Sequence, residues 1–323
     1  MKVSYKMIDK ELRLIGLLVK PISRASLRLF KFVQYFAVKS RGAMIEGLDC
    51  EEQFIGGYEN DEEVRIRIYK PLNQSDKPLP IVLYCHGGGY ALTVPETSAP
   101  QIKALLDTRD CIVIAPDYRK SIEHPYPAAL NDCYATLKWI KDNAEKLGAR
   151  SDQIMVVGHS AGGGLTAAIT LLARDKKEVN IAFQMPIYPM IDDRGNTPSA
   201  QDNDSPFWNT KLNTLGWDLY LKDLKSRNED IPVYAAPARE TDYSNLPPTA
   251  TFVGDLEPFK DETIAYVENL KKAGVTTKFK LYKNCFHGFD AVVPKAKISQ
   301  NANKFILDEF SYAIDNYFSS QSN

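Results

Sequence analysis

Short apolar runs and helical patterns alternate through most of the chain. Six runs, "PIVLYCHGGG", "CIVIAPDY", "QIMVVGHS", "IAFQMPIYP", "PTATFVGDL" and "KFKLYKN", are rich in β-branched residues and end in polar or small ones. That pattern predicts strands buried on both faces. Between most of them lie helical patterns. In "ALNDCYATLKWIKDNAEKLG", Leu130, Tyr134, Leu137 and Ile140 share one face. Strand–helix alternation of this kind predicts an α/β fold, a mostly parallel sheet covered by helices on both sides. Upstream, the alternating segments 51–59 and 63–70 predict a hairpin at the sheet edge, and apolar positions at 305/306, 310, 313/314 and 317/318 predict a closing helix.

Two regions break the pattern. Between Pro189 and Pro247 the chain is rich in Asp, Asn, Ser and Pro and carries one helical stripe, Leu212, Leu215 and Leu219. It reads as an insertion above the sheet, at about 190–245. Through Gly42 the N-terminus carries ten Lys/Arg against Asp9 and Glu11, with apolar residues at helical spacing. Its longest apolar run, Leu14 to Val19, is too short for a signal-peptide core or a membrane span. Residues 1–45 are therefore expected to be cap helices, with 46–323 as the catalytic domain. A basic helical face of this kind predicts at most weak peripheral membrane association.

Composition narrows the function classes. With 44% hydrophobic and 25% charged residues the chain is an ordinary globular one, and its net charge of −1 gives no electrostatic case for nucleic acid. Five scattered cysteines without a C-x-x-C pair argue for a reducing, cytoplasmic setting, and no Cys/His cluster has zinc spacing. No metal and no cofactor is expected. A homodimer is compatible with the sequence.

The candidate chemistry falls at strand ends, where open α/β sheets place their reactive groups. Ser160 stands in Gly158-His159-Ser160-Ala161-Gly162, a G-x-S-x-G between a strand and a helix. A serine lifted out on so sharp a turn needs small flanking residues, which accounts for the glycines. A phosphate cradle would need Gly-Lys-Ser/Thr, and no lysine follows Gly164. At the end of an earlier strand stands His86-Gly87-Gly88-Gly89-Tyr90. Its backbone N–H groups, with that of Ala161, suit the oxygen that turns negative when a carbonyl is attacked.

A serine needs a base, and the chain has four histidines. His86 is expected to brace the glycine loop, His124 lies in a proline-bound loop, and His159 is expected to point away across the turn. His287, late in the chain after "KFKLYKN", remains. Its orienting acid has three candidates beyond the strand ending at Gly254: Asp255, Glu257 and Asp261. Asp255 lies immediately past the strand, Asp261 falls inside a helix started by Pro258, and Glu257 sits at the loop tip between them.

Together H-G-G-G-Y, "PDYRKSIEHPYPAALNDCY", G-H-S-A-G-G, "LPPTATFVGDLEPFKDE" and H-G-F resemble the bacterial hormone-sensitive-lipase family of carboxylesterases, over roughly Leu79 to Phe289. The resemblance implies an α/β-hydrolase fold with a helical cap and no cofactor. It implies Ser160 as nucleophile, His287 as base, and Gly88, Gly89 and Ala161 as oxyanion donors. The family's acid pattern, G-x-x-D-P-L-x-D-E, falls on Glu257 but with Asp, so Glu257 is the expected acid, ahead of Asp255 and then Asp261. His159 stands where the family usually has Asp or Thr, Gly164 where it has Asn, and Asp117-Tyr118-Arg119 continues as Lys120-Ser121-Ile122-Glu123 rather than L-A-P-E. These departures bear on substrate preference.

The expected activity is hydrolysis of short-chain carboxylic esters through an acyl-enzyme, with a small-molecule ester as partner. Amide or formamide hydrolysis (arylformamidase-like) and deacetylation use the same constellation. A catalytically inactive binding module on the same fold is the alternative outside enzymes.

Overall fold

A computed structural model describes residues 1–20, 26–73 and 77–321. The stretch 21–25, inside the expected N-terminal cap, lies outside the described residues.

Among the described residues the six apolar runs become β3 (Leu79–Cys85), β4 (Ile112–Pro116), β5 (Ala149–His159), β6 (Phe183–Ile187), β7 (Thr249–Gly254) and β8 (Thr277–Tyr282). The edge hairpin is β1 (Leu48–Ile55) with β2 (Val64–Pro71). They form one sheet in the order β1-β2-β4-β3-β5-β6-β7-β8, antiparallel at β1/β2 and β2/β4 and parallel from β4 onward. Every residue of β3, β4, β6 and β7 is buried, as strands covered on both faces must be. β8, at the edge, is largely exposed or half-buried.

Helices α3 (Ala99–Thr108), α4 (Ala128–Asn143), α5 (Ala161–Lys176), α8 (Lys260–Lys272) and α10 (Lys297–Asn316) cover the sheet. The predicted face of α4, Leu130, Tyr134, Leu137 and Ile140, is buried. In α5 every residue from Ala161 to Ala173 is buried, which its small side chains allow. β5 begins earlier than its apolar run: Ala149 pairs with Leu79 across a register shift, and the polar residues between carry no strand signal.

Two segments lie outside this layered core. The N-terminus forms α1 (Arg13–Val19) and α2 (Leu27–Val38), the latter capped by Ser26 accepting from the Leu29 N–H at 3.1 Å. The region after β6 forms α6 (Thr210–Tyr220) and α7 (Lys222–Ser226) amid irregular chain. The two segments meet: the Val3 N–H donates to Asp204 at 2.6 Å and Lys20 pairs with the same carboxylate at 3.3 Å. Ile8, Leu12 and Phe30 are buried beneath them. Among the described residues no helix is long and apolar enough to cross a membrane.

Candidate active site

The sheet order explains why distant residues converge. β5 sits between β3 and β6, so the turn after β5 lies beside the glycine loop after β3. At that turn Ser160 adopts φ 58°, ψ −121°, a left-handed conformation that costs a non-glycine residue energy. The surroundings hold it there. Its N–H donates to the Ile187 carbonyl at 2.9 Å, and its carbonyl accepts from Gly164 and Met190 at 2.9 and 3.0 Å. A Cβ on Gly162 would collide with the Cys85 and His86 carbonyls, so the turn closes only on glycine.

The ends of β7 and β8 supply the next groups. His287 Nε2 lies 2.9 Å from Ser160 Oγ, and its Nδ1 lies 2.5 Å from Glu257 Oε2. An ionised carboxylate only accepts, so Nδ1 carries the ring proton and Nε2 accepts from the serine hydroxyl. Glu257 Oε1 accepts from the Gly254 N–H at 2.8 Å, which folds the longer side chain back over its own strand end. Glu257 is fully buried and His287 is 2% exposed. Phe259 and Tyr188 pack edge-on against the imidazole at 4.9 and 4.8 Å between ring centroids. The other two carboxylates are engaged elsewhere. Asp255 accepts from the Asn284 N–H at 2.6 Å, and Asp261 accepts from the Ser199 N–H at 2.7 Å.

Gly87, Gly88 and Gly89 line the cavity that holds Ser160. Gly88 has φ +101°, a conformation glycine enters without cost. Among the described residues no hydrogen bond occupies the N–H of Gly88, Gly89 or Ala161; the last opens α5, whose first N–H groups have no partner within the helix. The loop is braced from behind. The Gly87 carbonyl accepts from His86 Nδ1 at 3.0 Å and from Thr93 Oγ1 at 2.6 Å, and Tyr118 stacks on the His86 ring at 4.0 Å. Burial, then the nearby Lys120 charge, pushes the His86 imidazole well below its usual range, which keeps this brace uncharged. His124 is exposed on its loop.

His159 turns from Ser160 toward Tyr84, whose hydroxyl lies 3.0 Å from Nδ1, yet the ring still borders the cavity. Enclosure by protein, then the neighbouring His287, pushes it down to about 4.

The cavity measures about 490 Å³ and is mostly apolar. Val19, Leu29, Phe30 and Val33 reach it from the N-terminal helices, and Phe207, Trp208 and Leu212 from the segment after β6. Phe30 and Trp208 meet at 6.3 Å between centroids. Sequence patterns did not single out Tyr84, Tyr188, Phe207 or Trp208. The first lies in a uniformly apolar strand, and the others follow no period.

A strained serine after the central strand, a histidine and a buried carboxylate in series, and a glycine loop with free N–H groups define an α/β hydrolase of the serine type. Known proteins extend this. The family model described as alpha/beta hydrolase fold matches residues 82–291. Carboxylesterase NlhH of Mycobacterium tuberculosis is 34% identical over 265 residues, 80% of this chain and 82% of its own. The arylesterase of Saccharolobus solfataricus is 34% identical over 219 residues, covering 67% and 70%. Among solved structures, a bacterial heroin esterase superposes with a TM-score of 0.88 at 32% identity, over 97% of this chain and 99% of that one. The chain belongs to the hormone-sensitive-lipase-like carboxylesterase family of the α/β-hydrolase fold.

Proposed function

We propose that Ser160, His287 and Glu257 hydrolyse short-chain carboxylic esters through an acyl-enzyme. One observation carries the reading: the unbroken contact chain Ser160 Oγ–His287 Nε2 and His287 Nδ1–Glu257 Oε2, at 2.9 and 2.5 Å, in a cavity bordered by free N–H groups.

Ser160 Oγ attacks the ester carbonyl carbon as its proton passes to His287 Nε2. Glu257 holds the ring in the required tautomer and stabilises the imidazolium. The carbonyl oxygen becomes an oxyanion and takes hydrogen bonds from the N–H groups of Gly88, Gly89 and Ala161. Collapse breaks the ester C–O bond, and Nε2 returns the proton to the departing alcohol. Water then repeats the sequence: Nε2 removes its proton, the hydroxyl adds to the acyl carbon, and Ser160 leaves reprotonated with release of the acid.

Residues 1–45 and about 190–245 serve as the cap in this reading, because both contribute to the cavity wall. The cavity, about 490 Å³ and mostly apolar, is of the size that encloses a small ester. Five buried, unpaired cysteines favour a reducing compartment, the cytoplasm.

Turnover of p-nitrophenyl esters from acetate to laurate, beside the matched anilide, tests the proposal. The expected result is fastest turnover among the shorter esters and an anilide rate far below that of its ester. An anilide rate equal to the ester rate, or a maximum at laurate, would contradict it.

A further inference from the structure

A second cavity, about 210 Å³, lies between α3 and α10, behind the one that holds Ser160. The two share Gln101, His159 and Ala291 in their walls, so the His159 ring stands at the boundary between them. Leu105, Val157, Met185 and Ile306 make the second cavity apolar.

One residue in that apolar wall is out of keeping. Asp290, in the short helix α9 (Phe289–Val292), is 1% exposed. Its Oδ2 accepts a long hydrogen bond from Tyr188 at 3.3 Å, and its Oδ1 accepts none from another residue among those described. A buried carboxylate without an opposite charge is expensive to keep. The acyl-transfer steps do not use Asp290, because Glu257 already holds His287 Nδ1.

The boundary between the two cavities is bordered by aromatic rings on the Ser160 side. The Tyr188 and Tyr84 rings flank His159 at 5.6 and 5.9 Å between centroids. Aromatic faces attract cations, most strongly where water is excluded. No like charge opposes one at the boundary, since His159 is held neutral above about pH 4. Asp290 is the one acidic residue among the described residues that line the second cavity.

We propose that the chamber beyond His159 is a subsite for an alkyl cation, a quaternary ammonium or protonated amine, carried by the ester substrate, with Asp290 as its counter-charge. This selectivity rests on the esterase reading above and names a substrate class within it. His159 and the two tyrosines are specificity-determining residues at the threshold.

Matched esters differing only in N⁺ against C test the proposal. In the acid part, p-nitrophenyl 4-(trimethylammonio)butanoate is compared with p-nitrophenyl 5,5-dimethylhexanoate; in the alcohol part, butyrylcholine is compared with 3,3-dimethylbutyl butanoate. One arm is expected to show a higher kcat/KM for the cationic ester, and that arm identifies the part of the ester that enters the chamber. Asp290→Asn should lower the cationic-to-neutral ratio by at least about tenfold, the scale of losing one partner of a buried charge pair. Ala104→Phe fills the chamber from α3 without touching the Ser160 cavity. It should abolish the cationic preference even if Asp290→Asn fails to fold. Neutral-ester turnover with a ratio unchanged in both variants, or with no cationic preference in either arm, would overturn the subsite and leave the esterase reading standing. No turnover of any of the four esters would overturn both.

Discussion

The loops at the strand ends and the segments that lie over them are built on different physical terms. Ser160, His287 and Glu257 are buried; the Ser160 N–H is bonded to the neighbouring strand at the Ile187 carbonyl, and the Glu257 carboxylate accepts from the Gly254 N–H at its own strand end. The overlying helices are fastened by fewer contacts and leave large apolar side chains in solvent, Leu14, Leu18 and Phe32 at 69%, 60% and 61% exposure. At its far end the N-terminal segment is tied down electrostatically: Arg41 pairs with Asp117 at 2.7 Å, and the Gly42 N–H donates to Glu96 at 2.9 Å. On the proposed reading the strand ends carry the chemistry and the overlying segments shape the cavity, which separates rate from selectivity. Substitutions at the strand ends should act on kcat, and changes to the cover on which ester is turned over.

The largest effects belong at the strand ends. Ser160→Ala and His287→Ala should each remove nearly all turnover while the protein stays folded, and the double variant should lose little more, because such residues act as a unit. Multiplicative losses would separate the two residues and break the contact chain as a functional unit. Glu257→Gln should follow, with kcat lowered by about 10⁴-fold, the scale of removing the charge behind a catalytic histidine. Asp255→Asn and Asp261→Asn should be much milder, since neither side chain touches His287. A large loss in Asp255→Asn alone would move the acid.

Changes to the cover come next. Deleting residues 1–42 removes Val19, Leu29, Phe30 and Val33 from the cavity wall. It should shift the chain-length profile of p-nitrophenyl esters while retaining acetate turnover. It should also lower the unfolding temperature, since Ile8, Leu12 and Phe30 are buried and each such side chain contributes about 1.5–3 kcal/mol. An unchanged profile and unfolding temperature would show that the segment is no cover.

The smallest effect is a pH dependence at Asp290, whose carboxyl burial raises from 3.8 to about 6. Between those values the folded protein holds this proton and the unfolded chain does not, so its contribution to stability falls as pH rises through that window. Urea midpoints for wild type and Asp290→Asn at pH 4 and pH 7 should therefore change relative to each other, in favour of the variant at the higher pH. A constant difference would mean that Asp290 is not held protonated by burial.

Much of the strand-end arrangement was legible because few residues in the chain could form it. The turn at Ser160 admits no Cβ at Gly162, and a chain with four histidines leaves few choices of base. The sheet was legible where strands are apolar throughout and blurred where they are not. Polar residues hid the first half of β5, which forms because β3 offers it a partner. Among Asp255, Glu257 and Asp261, spacing could rank the candidates but not show their contacts. Those depend on a side chain folding back to Gly254, a tertiary fact. The cavity's aromatic wall was the least visible. Trp208 and Phe207 reach it from irregular chain, and Asp290 reads in the sequence as one more polar residue after His287.

The account stands on Ser160 as a nucleophile activated from His287. Intact-mass and peptide analysis after treatment with a fluorophosphonate tests this most directly. One adduct per chain, on Ser160, formed rapidly by the wild type and absent from folded Ser160→Ala, is the predicted result. A folded wild-type protein that stays unlabelled, or carries its adduct on another residue, would contradict it.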